Sequence, residues 1–139
     1  MSTEVKVIYE LNEKQINDLQ VLYQDEWWTK GRSLAETKQC VEGSQISIGV
    51  VDAAGSLQGF SRVLTDYTFK ALIFDIIVSE QHRGTGLGDK LMELIMSHEQ
   101  LRRVKHFELY CLPELFGFYE KFGFSSDVGD VKLMRYASR

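Results

Sequence analysis

The segment 81–88, QHRGTGLG, concentrates three of the chain's 11 glycines at the point where an apolar run gives way to a helical pattern. These glycines are Gly84, Gly86 and Gly88. A helix start presents unpaired N–H groups and the positive end of the helix dipole, so it attracts anions such as phosphate. Glycine allows a ligand to approach the backbone closely, but it also suits an ordinary tight turn. Spacing alone does not choose between a phosphate loop and a plain turn.

Two well-known phosphate-binding motifs do not fit this segment. The P-loop ends in Gly-Lys followed by Ser or Thr, whereas this chain reads Gly88-Asp89-Lys90. The dinucleotide-binding fingerprint has a different glycine spacing and usually lies near the chain start. Adenine-nucleotide binding of either kind is therefore disfavoured.

Asp75 is the second candidate, because it is the only charge in the apolar run 71–78, ALIFDIIV. A carboxylate in a central strand must be paired, hydrogen-bonded or functional. It can accept a proton from an amine, bind a cationic substrate, or cap a neighbouring loop, and the sequence leaves these roles open.

Tyr119 lies among Phe116, Phe118 and Phe122, so it is either a packing residue or a proton donor. A phenol can protonate a thiolate only when it is positioned within hydrogen-bond reach. Cys111 is a third candidate, but His106 is five positions earlier on the same predicted strand and therefore points to the opposite face. A cysteine nucleophile activated by that histidine is disfavoured.

Composition excludes several other classes. The 139 residues suit one domain, 1–139, and the net charge of −4 argues against a nucleic-acid partner. The two cysteines and three histidines have no metal-ligand spacing, so we expect no metal. The N-terminus lacks signal-peptide features and no apolar run is long enough to span a membrane, so we expect free thiols and a cytoplasmic protein.

The elements that must position these residues follow from capping signals and periodicity. A strand is predicted over 5–11. Asn12 with Gln15 then opens a helix, and Ser33 with Glu36 opens a second helix that ends near Gly43. The apolar face of the first helix is predicted to contain Ile16, Leu19, Leu22, Tyr23 and Trp27.

The second half of the chain predicts a hairpin, two crossovers and a closing strand. QISIGVVD and LQGFSRVLTD form a hairpin turned at 53–56, and residues 70–78 form a central strand. Leu87, Leu91, Leu94 and Ile95 mark the apolar face of a helix. A strand over 105–111, a helix from Pro113 to about Phe122, and a last strand, VKLMRYA over 131–137, complete the order. This order predicts an α+β fold with a mixed sheet of six or seven strands and helices on both faces.

Two motifs in this order resemble one family. FDIIVSEQHRGTGLGDKLM resembles motif A of the GNAT superfamily of acetyl-CoA-dependent N-acetyltransferases, and FGFYEKFGF, residues 116–124, resembles its motif B. The element order also matches the GNAT fold along nearly the whole chain. The chain looks similar to uncharacterised bacterial members.

This resemblance implies acetyl-CoA as co-substrate, with the backbone of the strand before the loop holding the pantetheine arm and the loop amides holding the pyrophosphate. The cofactor-binding residues implied are Ile76, Ile77, Val78, Arg83, Gly84, Thr85, Gly86, Leu87, Gly88 and Asp89. Tyr119 is implied as the proton donor to the departing thiolate, and Asp75 or a water as the base, with direct transfer between substrates. One departure is Leu112, which stands where many members have an asparagine that touches the cofactor.

The acceptor is less well defined. In the family it binds near the first two helices and the loop after the third strand. Those regions contain Tyr23, Trp27, Trp28 and Tyr67, with Glu26 and Asp66 nearby. Aromatic rings and carboxylates suit an amine cation, and we expect a small-molecule primary amine. A protein amine, a non-catalytic acyl-CoA sensor and a homodimer are left open.

Overall fold

The computed structural model describes residues 4–138. Residues 1–3, on which part of the signal-peptide prediction falls, and residue 139 lie outside this range. The helices and strands are β1 Lys6–Ile8, α1 Glu13–Gln24, α2 Leu34–Glu42, β2 Ile46–Val51, β3 Leu57–Thr65, β4 Lys70–Val78, α3 Leu87–Met96, β5 His106–Leu109 and α4 Phe116–Glu120.

The five strands form one mixed sheet in the order β1-β2-β3-β4-β5. The first four are antiparallel neighbours, and β5 joins β4 in parallel. The α+β fold with a mixed sheet is confirmed, but the sheet of the described residues has five strands, not six or seven.

Helices cover both faces of the sheet, as expected. On one face, α3 packs its buried residues Leu87, Leu91, Met92 and Ile95 against β2, β3 and β4. On the other face, Leu19, Leu22 and Tyr23 of α1 pack against Leu57, Phe60 and Ile77. The sheet is therefore the middle layer between two apolar cores.

Local signals account for most helix and turn boundaries. Both predicted capping boxes form, Asn12 with Gln15 and Ser33 with Glu36. The β2–β3 turn forms around Gly55, whose φ of +81° favours glycine. Asp52, which was not predicted to take part, accepts the N–H groups of Ala54 and Ser56.

The last predicted strand is wrong. Residues 131–137 have no regular secondary structure, and Val131, Leu133, Met134 and Tyr136 are all exposed. Strand propensity reflects fit to a neighbouring strand and a buried face. This segment has neither.

Two kinds of feature are absent from residues 4–138. No helix there is both long enough and apolar enough to cross a bilayer. No three histidine, cysteine, aspartate or glutamate side chains in that range group as a metal ion would require.

Candidate active site

A β-bulge lies in the middle of β4. Arg62 of β3 pairs with Phe74, but Phe60 pairs with Ile77, so β4 has one residue more than β3 between these pairs. The extra residue falls at Asp75, whose φ is +59°. A positive φ is uncommon for a residue other than glycine, although aspartate tolerates it better than most. Bulges of this kind re-aim strand residues and are frequent beside active sites.

The bulge decides which backbone groups face away from β3. Beyond it, the N–H of Ser79 donates to the carbonyl of Gln58 on β3 at 2.8 Å. Backbone groups of successive strand residues alternate in direction, so those of Ile77 also face β3 while those of Ile76 and Val78 face the opposite side. This is the side of β5.

β5 does not follow β4 to its end. Their ladder covers four pairs, from Lys70 with His106 to Ile73 with Leu109. From Phe74 onward, the described part of the chain places no paired strand beside this edge of β4. The backbone groups of Ile76 and Val78 therefore face a gap between the two strands.

The glycine segment continues directly from this gap into α3. Gly84 and Gly86 have φ values of +78° and +85°, so glycine is required there by backbone conformation. Gly86 is the N-cap of α3, and no side chain within residues 4–138 caps the helix start. The first-turn N–H groups, which have no acceptor within a helix, are thus available at the positive end of the dipole.

Charged side chains surround this helix start. Arg83 forms an ion pair with Glu26 at 2.9 Å, and Lys121 of α4 forms one with Asp89 at 2.8 Å. All four side chains remain partly exposed, so each pair is worth little stability and can exchange partners.

The two sequence motifs meet in space. A Cβ added to Gly88 would lie 3.6 Å from the ring of Phe118, so α4 packs directly on the first turn of α3. Tyr119 is next to Phe118, and the two rings meet edge to face at 4.9 Å. The Phe124 ring is a second neighbour of Tyr119, at 6.3 Å. The tyrosine ring therefore packs against two aromatic side chains.

Tyr119 and Cys111 share a groove lined by β5, α4 and residues of the 125–134 segment. Burial raises the pKa of Tyr119 to about 12, with a smaller contribution from Cys111. Burial also raises the pKa of the Cys111 thiol. Both groups are therefore protonated at neutral pH, so the tyrosine can donate a proton while the thiol is a poor nucleophile.

Asp75 is buried and fully engaged. Its carboxylate accepts hydrogen bonds from the Tyr23 hydroxyl at 2.8 Å, Arg32 at 2.8 Å and Arg62 at 2.7 Å. Burial acts to raise the pKa of Asp75, but the hydrogen bonds and charges of Arg32 and Arg62 outweigh it, and the pKa lies below its usual value. Asp75 is thus ionised and paired, which is unfavourable for taking a proton from an amine.

The four aromatic residues expected near the acceptor have different environments. Tyr23 is completely buried, which leaves it no surface for touching an acceptor, and its hydroxyl is bonded to Asp75. Trp27 is 72% exposed because α1 ends at Gln24, so its predicted place on the buried helix face is wrong. Trp28 and Tyr67 are also exposed.

The nearby carboxylates are already bonded. Asp66 accepts the N–H groups of Thr68, Phe69 and Lys70 and so organises the β3–β4 loop. Glu26 holds Arg83. Both carboxylates therefore have partners before any acceptor binds.

Arg32 and Arg62 were missed by the sequence reasoning. A signal for one of them existed, because Arg62 is the only charge in LQGFSRVLT, the sequence of β3, just as Asp75 is the only charge in the apolar run of β4. Two lone opposite charges on predicted neighbouring strands indicate an ion pair. Arg32 comes from an irregular connection and had no such signal.

Comparisons with known proteins agree with this architecture. The model of the acetyltransferase (GNAT) domain family matches residues 44–126, more than half of the chain. An uncharacterised N-acetyltransferase, ycf52, from Porphyra purpurea is 31% identical over 98% of this chain and 80% of its own length. A crystal structure assigned to the GNAT family, from Xanthomonas campestris pv. campestris, is 28% identical with a TM-score of 0.85, covering 97% of this chain and 94% of that one.

The fold and the two motifs define an acyl-transferring enzyme, and the chain belongs to the GNAT acetyltransferase family. A further relative is serotonin N-acetyltransferase 2, chloroplastic, from Oryza sativa subsp. japonica. It is 29% identical over 71% of this chain, which spans about half of that protein's length. These curated relatives come from an alga and a plant, so the narrower resemblance to bacterial members is not shown. The cytoplasmic location stays a prediction.

Proposed function

We propose that this enzyme transfers the acetyl group of acetyl-CoA directly to a primary amine of a small molecule. The observation that carries the proposal is the continuous path from the gap beside Ile76 and Val78 to the uncapped start of α3. A pantetheine arm is an extended chain with amide groups, which can pair with a strand edge. A pyrophosphate suits the N–H groups of a helix start.

The residues at each end of this path have matching roles in the proposal. The backbone of Ile76 and Val78 holds the pantetheine, whereas that of Ile77, which was also predicted to bind it, faces β3. The amides of 84–89 hold the pyrophosphate, with Arg83 adding positive charge. A backbone N–H at the bulge faces the thioester oxygen and stabilises the tetrahedral intermediate. The neutral amine attacks the thioester carbonyl carbon, the C–S bond breaks, and Tyr119 gives its proton to the departing thiolate. The Tyr119 oxygen then regains a proton, which balances the one that the acylated nitrogen releases to solvent.

The base that deprotonates the amine is assigned to water. Asp75 already accepts hydrogen bonds from three side chains and its pKa is lowered by two arginines, so it is a weak acceptor for the proton of an ammonium that reaches the site. The proton from the ammonium leaves to solvent through the open end of the gap.

A small amine with an apolar or aromatic body is the favoured acceptor class. The connection between α1 and α2 presents Trp27 and Trp28, both exposed, on the same segment that supplies Arg32 and Glu26. Aromatic faces attract organic cations and flat rings. The rice relative is by its name a serotonin N-acetyltransferase, which supports testing aromatic amines first.

The test is an acetyl-CoA thiol-release assay over arylalkylamines, polyamines, amino acids, aminoglycosides and lysine-containing peptides. We expect turnover with a small amine and little with peptides. Hydrogen exchange should show that acetyl-CoA protects residues 81–89. Turnover with peptides alone would show that the acceptor is a protein amine. Absence of protection would contradict the binding of acetyl-CoA along the proposed path.

A further inference from the structure

The conformation of Asp75 is costly, and four groups hold it in place. A non-glycine residue at a positive φ is strained and persists only where the surroundings impose it. Here the surroundings are three donors to the carboxylate and the buried hydroxyl of Ser61, the residue opposite the bulge, which donates to the Phe74 carbonyl at 2.9 Å.

The donors to Asp75 come from three separate parts of the fold. Tyr23 lies in α1, Arg32 in the connection between α1 and α2, and Arg62 in β3. Arg32 also stacks on the Tyr23 ring at 4.5 Å, and Arg62 lies over the Phe74 ring at 5.0 Å. The carboxylate therefore joins one helix, one connection and one strand at the extra residue of β4.

At this junction, the side chains of β4 exchange the sides of the sheet towards which they point. Before the bulge, Ala71 and Ile73 pack on the α3 side, whereas beyond it Ile77 packs on the α1 side. Ile76 consequently packs with the α3 core, and its backbone groups face the gap. Without the extra residue, Ile77 would face the gap and Ile76 would face β3.

We propose that Asp75, clamped by Tyr23, Arg32 and Arg62, is a positioning residue that keeps the β4 bulge in place and so aims the Ile76 backbone at the reacting carbonyl. The inference rests on the acetyl transfer proposed above. The same clamp ties the Trp27–Trp28 connection to β4 through Arg32, so acceptor-side and cofactor-side elements share one anchor. The Trp27–Trp28 connection and the thioester site thereby keep a fixed position relative to each other.

Three substitutions of Asp75 separate positioning from proton transfer. Asp75→Gly removes the carboxylate but suits the positive φ, and Asp75→Asn keeps a hydrogen-bonding side chain that tolerates it. Asp75→Val removes the carboxylate and strongly disfavours this φ. If Asp75 positions the bulge, kcat should fall by no more than about tenfold in Asp75→Gly and Asp75→Asn. It should fall by about 100-fold in Asp75→Val, because the backbone donor is then no longer aligned with the reacting carbonyl.

A base role predicts a different pattern. Gly and Asn would then lose at least about 100-fold in kcat, and the acid limb of the pH–rate profile would disappear in both. The positioning role leaves that limb unchanged and leaves the KM for acetyl-CoA within about twofold, because the loop amides are untouched.

Arg32→Gln gives a milder second variant that keeps the Asp75–Arg62 pair. We expect kcat to fall about three- to tenfold with KM unchanged. Arg102→Gln is the matched control, since Arg102 forms a single exposed ion pair with Glu99 at 2.9 Å. Its kcat should equal that of the unmodified enzyme.

Amide hydrogen exchange of the ligand-free protein tests the clamp without any activity. The Ile77 N–H faces β3 and should exchange slowly, whereas the Ile76 N–H faces the gap and should exchange fast. In Asp75→Val these two rates should converge or invert. An unmodified exchange pattern and kcat in Asp75→Val would overturn the proposal, as would loss of the acid limb in Asp75→Asn. If the unmodified enzyme acetylates no amine, the proposed function fails. The exchange experiment would still show whether Asp75 holds the β4 bulge in place.

Discussion

The ammonium of Lys121 lies 2.8 Å from the carboxylate of Asp89, which joins α4 to the first turn of α3. Lys121 also lies over the Phe118 ring at 4.8 Å. The pair neutralises an acidic residue at a helix start where the proposed ligand is an anion. It therefore links the two sequence motifs both mechanically and electrostatically.

Removal of this neutralising charge should weaken cofactor binding. In Lys121→Met, the unpaired Asp89 carboxylate repels the pyrophosphate, and we expect the Kd of acetyl-CoA to rise about three- to tenfold at low salt. Asp89→Asn should lower the Kd of acetyl-CoA, and the double variant should have the same Kd as Asp89→Asn alone. Calorimetric titration at two salt concentrations checks this, because the effect should shrink by 0.5 M salt. An equal Kd for Lys121→Met and the unmodified protein at low salt would contradict it.

Arg83 is expected to exchange its Glu26 partner for the ligand. Arg83→Gln should raise the Kd of acetyl-CoA about five- to tenfold, since it removes a charge beside the pyrophosphate. Glu26→Gln releases Arg83 from its present ion pair and should lower the Kd slightly. Titration of both variants with acetyl-CoA and with dephospho-CoA checks the assignment. An unchanged Kd for Arg83→Gln would show that this arginine is an ordinary surface residue.

Tyr119→Phe should reduce turnover without affecting binding. Loss of the proton donor is expected to lower kcat about 100-fold, while the Kd of acetyl-CoA stays within about twofold. Because burial raises the pKa of Tyr119 to about 12, this tyrosine should cause no alkaline fall in rate below roughly pH 10. Steady-state kinetics from pH 6 to about 10 checks both points, with the exposed Tyr9→Phe as the control. A full rate in Tyr119→Phe would assign the ring to packing alone.

The Asp75 cluster should make stability depend on acid. The pKa of Asp75 is lower in the folded protein than its usual value, so its contribution is complete above the unfolded pKa and is lost as pH falls towards the folded one. Asp75→Asn should therefore destabilise by about 2–4 kcal/mol at pH 7, by leaving two partly buried arginines unpaired. The difference should shrink as pH falls from about 5 to below 3.

Urea unfolding of both proteins across this pH range measures the change. Glu99→Gln, which breaks the exposed pair with Arg102, is the control and should have little effect at any pH. If the difference in free energy of unfolding between Asp75→Asn and the unmodified protein stays constant with pH, the ionised carboxylate does not stabilise the fold.

Local signals determined the parts of this protein that depend on neighbours in sequence. The capping residues Asn12 and Ser33 specify helix starts because each side chain accepts the N–H of the residue three positions later. Gly84 and Gly86 specify the turn into α3 because their backbone conformation is closed to most other residues. The family and its cofactor followed from these local patterns.

Tertiary structure alone decided the rest. Trp27 is exposed, although helical spacing predicted it on the buried face of α1. Residues 131–137 form no strand, although their sequence predicted one. The partners of Asp75 are 13, 43 and 52 positions away in the chain. A pattern of residue types can state that a buried carboxylate needs partners, because desolvation is costly anywhere in a protein. Only the packing of α1 and β3 around the β4 bulge selects which side chains those partners are.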